Sequence, residues 1–149
     1  MESAPRPLLP VLTPLYTRLE PLAWLLVRVT TGACLIPHGW QKLLGGKLDG
    51  TVQAFTKMGL EPAFTLALYI ALLELVGGTL LALGFLTRLW AVLVVGFMAV
   101  AVIHVHWGNG YFWNAGGFEY PLFWGLMALA IAIKGPGRHS VDYLIGYEL

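Results

Sequence analysis

Pro62–Leu86 runs for 25 residues of mostly Leu, Ala and Gly with a single charge, Glu74, near its middle. Crossing ~30 Å of hydrocarbon takes roughly 20 helical residues, so this stretch is long enough to span a bilayer. In lipid the backbone polar groups must be satisfied within the segment, which selects helix over an open strand. Glu74 then adds a second constraint. An ionisable side chain at the bilayer centre costs about 2.5–3.5 kcal/mol on insertion scales, so it faces a protein interior or a wet cavity. Such a chain folds as a helical membrane bundle with a polar seam, and its function is expected along that seam.

Three further stretches fit the same architecture. Pro21–Leu44 has the length but carries Arg28, His38 and Lys42. Leu89–Ile103 is uncharged and becomes long enough when taken from Arg88 to Trp107. Tyr120–Ile133 is short and needs Phe118, Glu119 and Lys134 as its ends, so a buried half-span competes with a full crossing there. The expectation is an all-α integral membrane four-helix bundle with spans at about 21–44, 62–86, 88–107 and 118–134. Residues 1–20 contain four prolines and read as a retained, irregular N-terminal arm rather than a cleaved leader, with an interfacial turn allowed around Leu15–Leu19.

The connections agree with this division. Gly45–Glu61 is a polar linker, and Gly84–Arg88 is a tight turn between antiparallel spans. Gly135-Pro136-Gly137 stops the fourth helix, because Pro has no N–H to donate and Gly tolerates left-handed geometry. Ser140 is placed to cap a short helix beginning at Val141.

Composition excludes several classes of function. Charged residues make up 11% of the 149, far below the roughly 25% usual for soluble domains, and mean hydropathy is +0.73. A net charge of +1 without any long basic run gives nucleic acid no foothold, leaving the lipid bilayer as the first partner. Cys34 is the one cysteine, so the chain performs no dithiol chemistry alone. Outside the spans, Arg6, Arg18, Arg88, Lys134 and Arg138 fall on the side of the termini, against Lys42, Lys47 and Lys57 opposite. That excess places both termini in the cytoplasm of an inner (plasma) membrane protein.

Helical geometry says which ionisable groups share a face. At 100° per residue, Arg28, Thr31, Gly32, Leu35, His38, Gly39 and Lys42 lie on one side of the first helix. Glu74 shares a side of the second with Gly77, Gly78 and Leu81, small residues that allow close helix approach. With the two spans centred alike, Arg28 and Glu74 differ in depth by about 7 Å, within an arginine's reach, so they are expected to pair or share a polar network. Such a pair either holds register or makes Glu74 a proton-accepting group beside a ligand pocket.

A second cluster is expected at the far end: His38, Lys42, His104, His106 and Glu119, beneath the aromatic and glycine-rich loop from Trp107 to Phe118. That loop reads either as an interfacial aromatic belt or as a lid under which a flat, weakly polar ligand such as a quinone stacks. His104 and His106 point to nearly opposite sides of a continuous helix, and no ligand spacing supports a metal or haem site. Hydrolase and nucleotide motifs are absent.

Arg28-Val-Thr-Thr-Gly32, His38-Gly39-Trp40-Gln41-Lys42, Glu74-Leu-Val-Gly77-Gly78, Leu83-Gly-Phe-Leu-Thr-Arg88, Gly116-Gly117-Phe118-Glu119 and Gly135-Pro-Gly-Arg-His-Ser-Val-Asp142, in that order, resemble the DoxX family of small four-span membrane proteins. The resemblance covers roughly Leu25 to Gly146. It implies a four-helix membrane bundle and an association with membrane redox systems, some relatives resembling small subunits of thiosulfate:quinone oxidoreductases. The cysteine pair of thiol-active relatives is missing here.

Two functions follow. In the first, the protein is an accessory subunit of a membrane oxidoreductase, with His38, Lys42 and Glu119 near one surface, Arg28 and Glu74 deeper, and electrons supplied by a partner. In the second, it is a non-catalytic assembly or stability factor whose Gly-rich helix faces dock a membrane protein partner or further copies of itself. A small-solute or proton carrier would need an oligomer.

Overall fold

The computed structural model describes residues 7–149, and every regular element within them is helical. Helices α1 (Thr13–Ala33) and α2 (Ile36–Leu43) form one long, broken rod. The break has a chemical cause. Pro37 offers no N–H to the Ala33 carbonyl and its ring would clash with it, so α1 ends there and the chain restarts at Ile36. The span expected over 21–44 thus lies within one rod, Pro10–Leu43, that is broken between Ala33 and Ile36.

The N-terminal arm is corrected as well. Pro10–Leu12 forms a 3-10 turn and α1 is already regular from Thr13, so residues 13–20 are helical; the arm's residues 1–6 lie outside the described residues. Pro14 sits in the first turn, where its missing N–H costs nothing, and Pro21 is carried inside the helix. The linker over 45–61 also contains more structure than expected. Helix α3 (Leu48–Lys57) occupies most of it and packs on the next rod.

That rod consists of α4 (Ala63–Leu72), a π turn at Leu73–Gly77 and α5 (Gly78–Leu83). It ends at Gly84, whose φ of 75° is the left-handed conformation of a helix stop. Helix α6 (Thr87–Val100) continues through a second π turn at Ala101–His106, and α7 (Glu119–Lys134) returns against it. Among the described residues three helical rods are long and apolar enough to cross a membrane: Pro10–Leu43, Ala63–Leu83 and Thr87–Asn109. Helix α7 has 16 residues, about 24 Å at 1.5 Å per residue.

Neighbouring rods pack in chain order, and α7 closes the ring against α1. Leu35, Leu73, Leu81, Ala91, Val94, Met98, Ala128 and Ile131 form the buried core. Gly32 lies against the backbone of Gly78 and Ala82, and Gly39 against that of Ala71 and Leu75, so these two glycines set how α1 and α2 slide along α4 and α5. Ser140 caps α8 (Val141–Ile145) as expected, its hydroxyl oxygen accepting the Tyr143 N–H at 3.1 Å.

Candidate functional site

The glycine contact at Gly39 brings α2 onto the π turn, and Lys42, three residues on, lies on the same face. Lys42 Nζ stands 2.5 Å from Glu74 Oε2, with 19% and 6% of the two side chains exposed. His38, one turn back on α2, is exposed and within electrostatic range of the same carboxylate. The π turn widens the helix at Glu74, a local distortion that recurs at functional sites. Just below it, the Thr79 hydroxyl donates to the Leu75 carbonyl at 2.7 Å. The arrangement is a desolvated ammonium–carboxylate pair with an imidazole at its mouth. It can hold a proton or offer a positive centre to an oxygen ligand, with an imidazole one helical turn away.

Arg28 is not part of this site. The residue is 1% exposed, and its guanidinium donates to the backbone carbonyls of Pro136 and His139, the latter at 2.5 Å. It packs against Gly84, ten residues and hence about 15 Å from Glu74. The expected Arg28–Glu74 pair is therefore corrected. The spans are not centred alike, because the glycine contacts slide α1 until Arg28 meets the α5–α6 turn.

The expected far-end cluster also separates. His106 Nδ1 donates to the Gly116 carbonyl at 2.7 Å, and Glu119 Oε2 accepts the Trp113 N–H at 3.1 Å. Both side chains thus brace the aromatic loop, which is folded on itself by Trp107 stacked on Phe118 and Trp113 on Tyr120 at 5.0 and 5.2 Å. His104 opens instead onto an apolar groove of about 440 Å³ walled by Phe55, Leu60, Tyr69 and Phe97. The chain remains helical through Val105, so the two histidines diverge. Among the described residues no three His, Cys, Asp or Glu side chains gather.

The polar centre that sequence reasoning missed lies at the opposite end. Asp142 is 2% exposed and caps the start of α6, while Trp24 Nε1 donates to the Gly135 carbonyl at 3.0 Å and Arg88 Nη1 to those of Ala132 and Ile133 at 2.7 and 2.8 Å. One signal was available. Helix α6 begins after Leu86, which has no side chain able to satisfy the first N–H groups, so an acceptor had to come from elsewhere.

Residues 23–107 match the family model described as DoxX. The chain belongs to the DoxX family. It is 35% identical over 130 residues to "Inner membrane protein YqjF" of Escherichia coli (strain K12), a match covering 86% of this chain and 95% of that protein. It is 38% identical over 118 residues to "Putative oxidoreductase CatD" of Bacillus subtilis (strain 168), covering 79% and 83%, and 32% identical over 131 residues to "Inner membrane protein YphA" of Escherichia coli (strain K12), covering 83% and 90%. No solved structure matches. The DoxX match takes in Arg28, His38, Lys42 and Glu74 but stops before the tail that Arg28 holds.

Proposed function

We propose that this DoxX protein is an accessory subunit or partner of a membrane oxidoreductase, and that the Lys42–Glu74–His38 site faces a quinone. In this reading the protein sits in the inner membrane with four crossings, α7 being the fourth, and both termini in the cytoplasm. The observation that carries it is the ion pair itself. A buried charge pair is weak support for stability, since its desolvation cost offsets most of its attraction. Its placement on a π turn, beside an exposed imidazole, suits proton exchange with a ligand.

Lys42 retains part of its surface, so an ammonium hydrogen is free for a carbonyl oxygen. When bound, a quinone supplies two-electron, two-proton chemistry, with the electrons delivered by the partner. Lys42 holds the oxygen and its developing charge, Glu74 fixes the ammonium, and His38 passes protons between the site and water. The oxidoreductase name of one relative supports the redox setting.

The test is quinone-dependent respiration in membranes carrying Glu74→Gln or His38→Ala, with protein level and folding matched. A loss of at least tenfold is expected for Glu74→Gln. Unchanged respiration with a well-folded variant overturns the reading and leaves an assembly role, which co-purifying membrane proteins would identify.

A further inference from the structure

Glu119 is the one full charge between Arg88 and Lys134. Among the described residues it forms no ion pair. Its place in the first turn of α7 is favoured by the helix dipole, and its Oε2 braces the Trp113 N–H. Neither role calls for what surrounds the carboxylate. Tyr111, Tyr120 and Phe123 stand with it around a cavity of about 360 Å³.

The rings there are held in place. The Glu119 N–H donates to the Tyr111 carbonyl at 2.9 Å and the Phe118 N–H to that of Gly110 at 3.0 Å, which fixes Tyr111 beside the carboxylate. Tyr111 meets Phe118 edge-on at 5.7 Å, and Trp113 stacks on Tyr120 at 5.2 Å. Gly117 lies so close to the Tyr111 backbone that no side chain fits between them. Aromatic rings around a carboxylate make a site for an organic ammonium, attracted by the ring faces and neutralised by the acid. An anionic headgroup would meet only like charge there.

The cavity also indicates what carries the ammonium. Leu122 and Leu126, one and two turns along α7 from Glu119, line it and line equally a second, apolar groove of about 250 Å³ between α6 and α7. That groove continues to Leu129, ten residues and about 15 Å along the helix from Glu119, with Met98 and Val102 on its α6 wall. We propose that the two cavities together seat an amine-headed phospholipid, its ammonium at Glu119 and one acyl chain along Leu122, Leu126 and Leu129. The carboxylate selects the head, and the groove selects a lipid over a free amine. This site is separate from the Lys42–Glu74 pair and does not depend on the role of that pair.

Lipid binding to the full-length protein, stripped of lipid in mild detergent and followed by native mass spectrometry, tests this. The probes are phosphatidylethanolamine and phosphatidylglycerol with matched acyl chains, and glycerophosphoethanolamine, the amine head without chains. Phosphatidylethanolamine is expected to bind at least fivefold more tightly than phosphatidylglycerol, with the soluble head unable to compete at equal concentration. Glu119→Gln retains an oxygen for the Trp113 N–H and is expected to bring the two lipids within twofold. Leu126→Trp fills the groove and should weaken phosphatidylethanolamine at least threefold. Equal binding of both lipids by the wild type overturns the proposal without any variant having to fold, and so does a preference that survives Glu119→Gln. Competition by the soluble head as effective as by the lipid overturns it in favour of a free amine, and undiminished binding by a folded Leu126→Trp removes the groove from the site and overturns it too.

Discussion

The carboxylate of Asp142 caps α6 through Thr87: its Oδ2 accepts the Thr87 hydroxyl at 2.7 Å and the Thr87 N–H at 2.9 Å, while Oδ1 accepts the Leu86 N–H at 2.8 Å. Both residues are buried, and the Asp142 N–H donates in turn to the Gly84 carbonyl at 2.9 Å. A residue near the end of the chain thereby completes a helix that begins some fifty residues earlier. Arg28 fastens the same tail from α1.

Removing that cap exposes its worth. Asp142→Ala leaves the buried Thr87 N–H and hydroxyl and the half-buried Leu86 N–H without an acceptor, a cost of about 2–4 kcal/mol. Asp142→Asn keeps one acceptor oxygen and is expected to lose less. Unfolding in mild detergent, followed by circular dichroism, should rank wild type above Asn above Ala. Equal stability of all three would show that the cap contributes nothing.

Arg28 holds two carbonyls with a planar fork that lysine cannot reproduce. Arg28→Lys is therefore expected to free the segment after Gly135 while leaving the helices in place. Limited proteolysis after Arg138 should accelerate at least threefold, with helicity unchanged. A tail cut at the wild-type rate would argue against the clasp.

Much of this architecture is legible in the residues themselves. The long rods follow from apolar run length, the turn at Gly84 from its residue types, and the α8 cap from Ser140. What was not legible depended on register. Whether Arg28 meets Glu74 or the tail is decided by where Gly32 and Gly39 touch the facing backbone, and centring each span in the membrane misplaces that contact by about one and a half helical turns. The π turns were equally hidden, since one wider turn barely alters the spacing of apolar residues around it. The break after Ala33, in contrast, is signalled in the sequence by Pro37.

The Lys42–Glu74 pair should behave as a coupled unit. Glu74→Gln strands a half-buried ammonium, and Lys42→Met strands a carboxylate, so each alone is expected to cost about 2–4 kcal/mol. The double variant removes both charges and should recover part of that loss, giving a coupling of roughly 1–3 kcal/mol in a double-mutant cycle. Strict additivity of the two single effects would mean that the side chains do not interact in the membrane.

Two glycine-to-alanine changes separate packing that builds the site from packing that does not. A Cβ on Gly39 would collide with the Leu75 backbone and lie 2.7 Å from the Ala71 carbonyl oxygen, neither of which can move without shifting the π turn. Gly39→Ala is expected to cost about 1–3 kcal/mol and to draw Lys42 away from Glu74. Gly96 sits mid-helix in α6 with nothing within 4 Å of such a carbon, so Gly96→Ala should be neutral or gain up to about 1 kcal/mol from helix propensity. Thermal unfolding of both variants distinguishes them, and accessibility of Lys42 to an amine-reactive reagent reports on the pair. If Gly39→Ala melts like wild type and leaves Lys42 equally protected, the close approach of α2 is not what seats the ion pair.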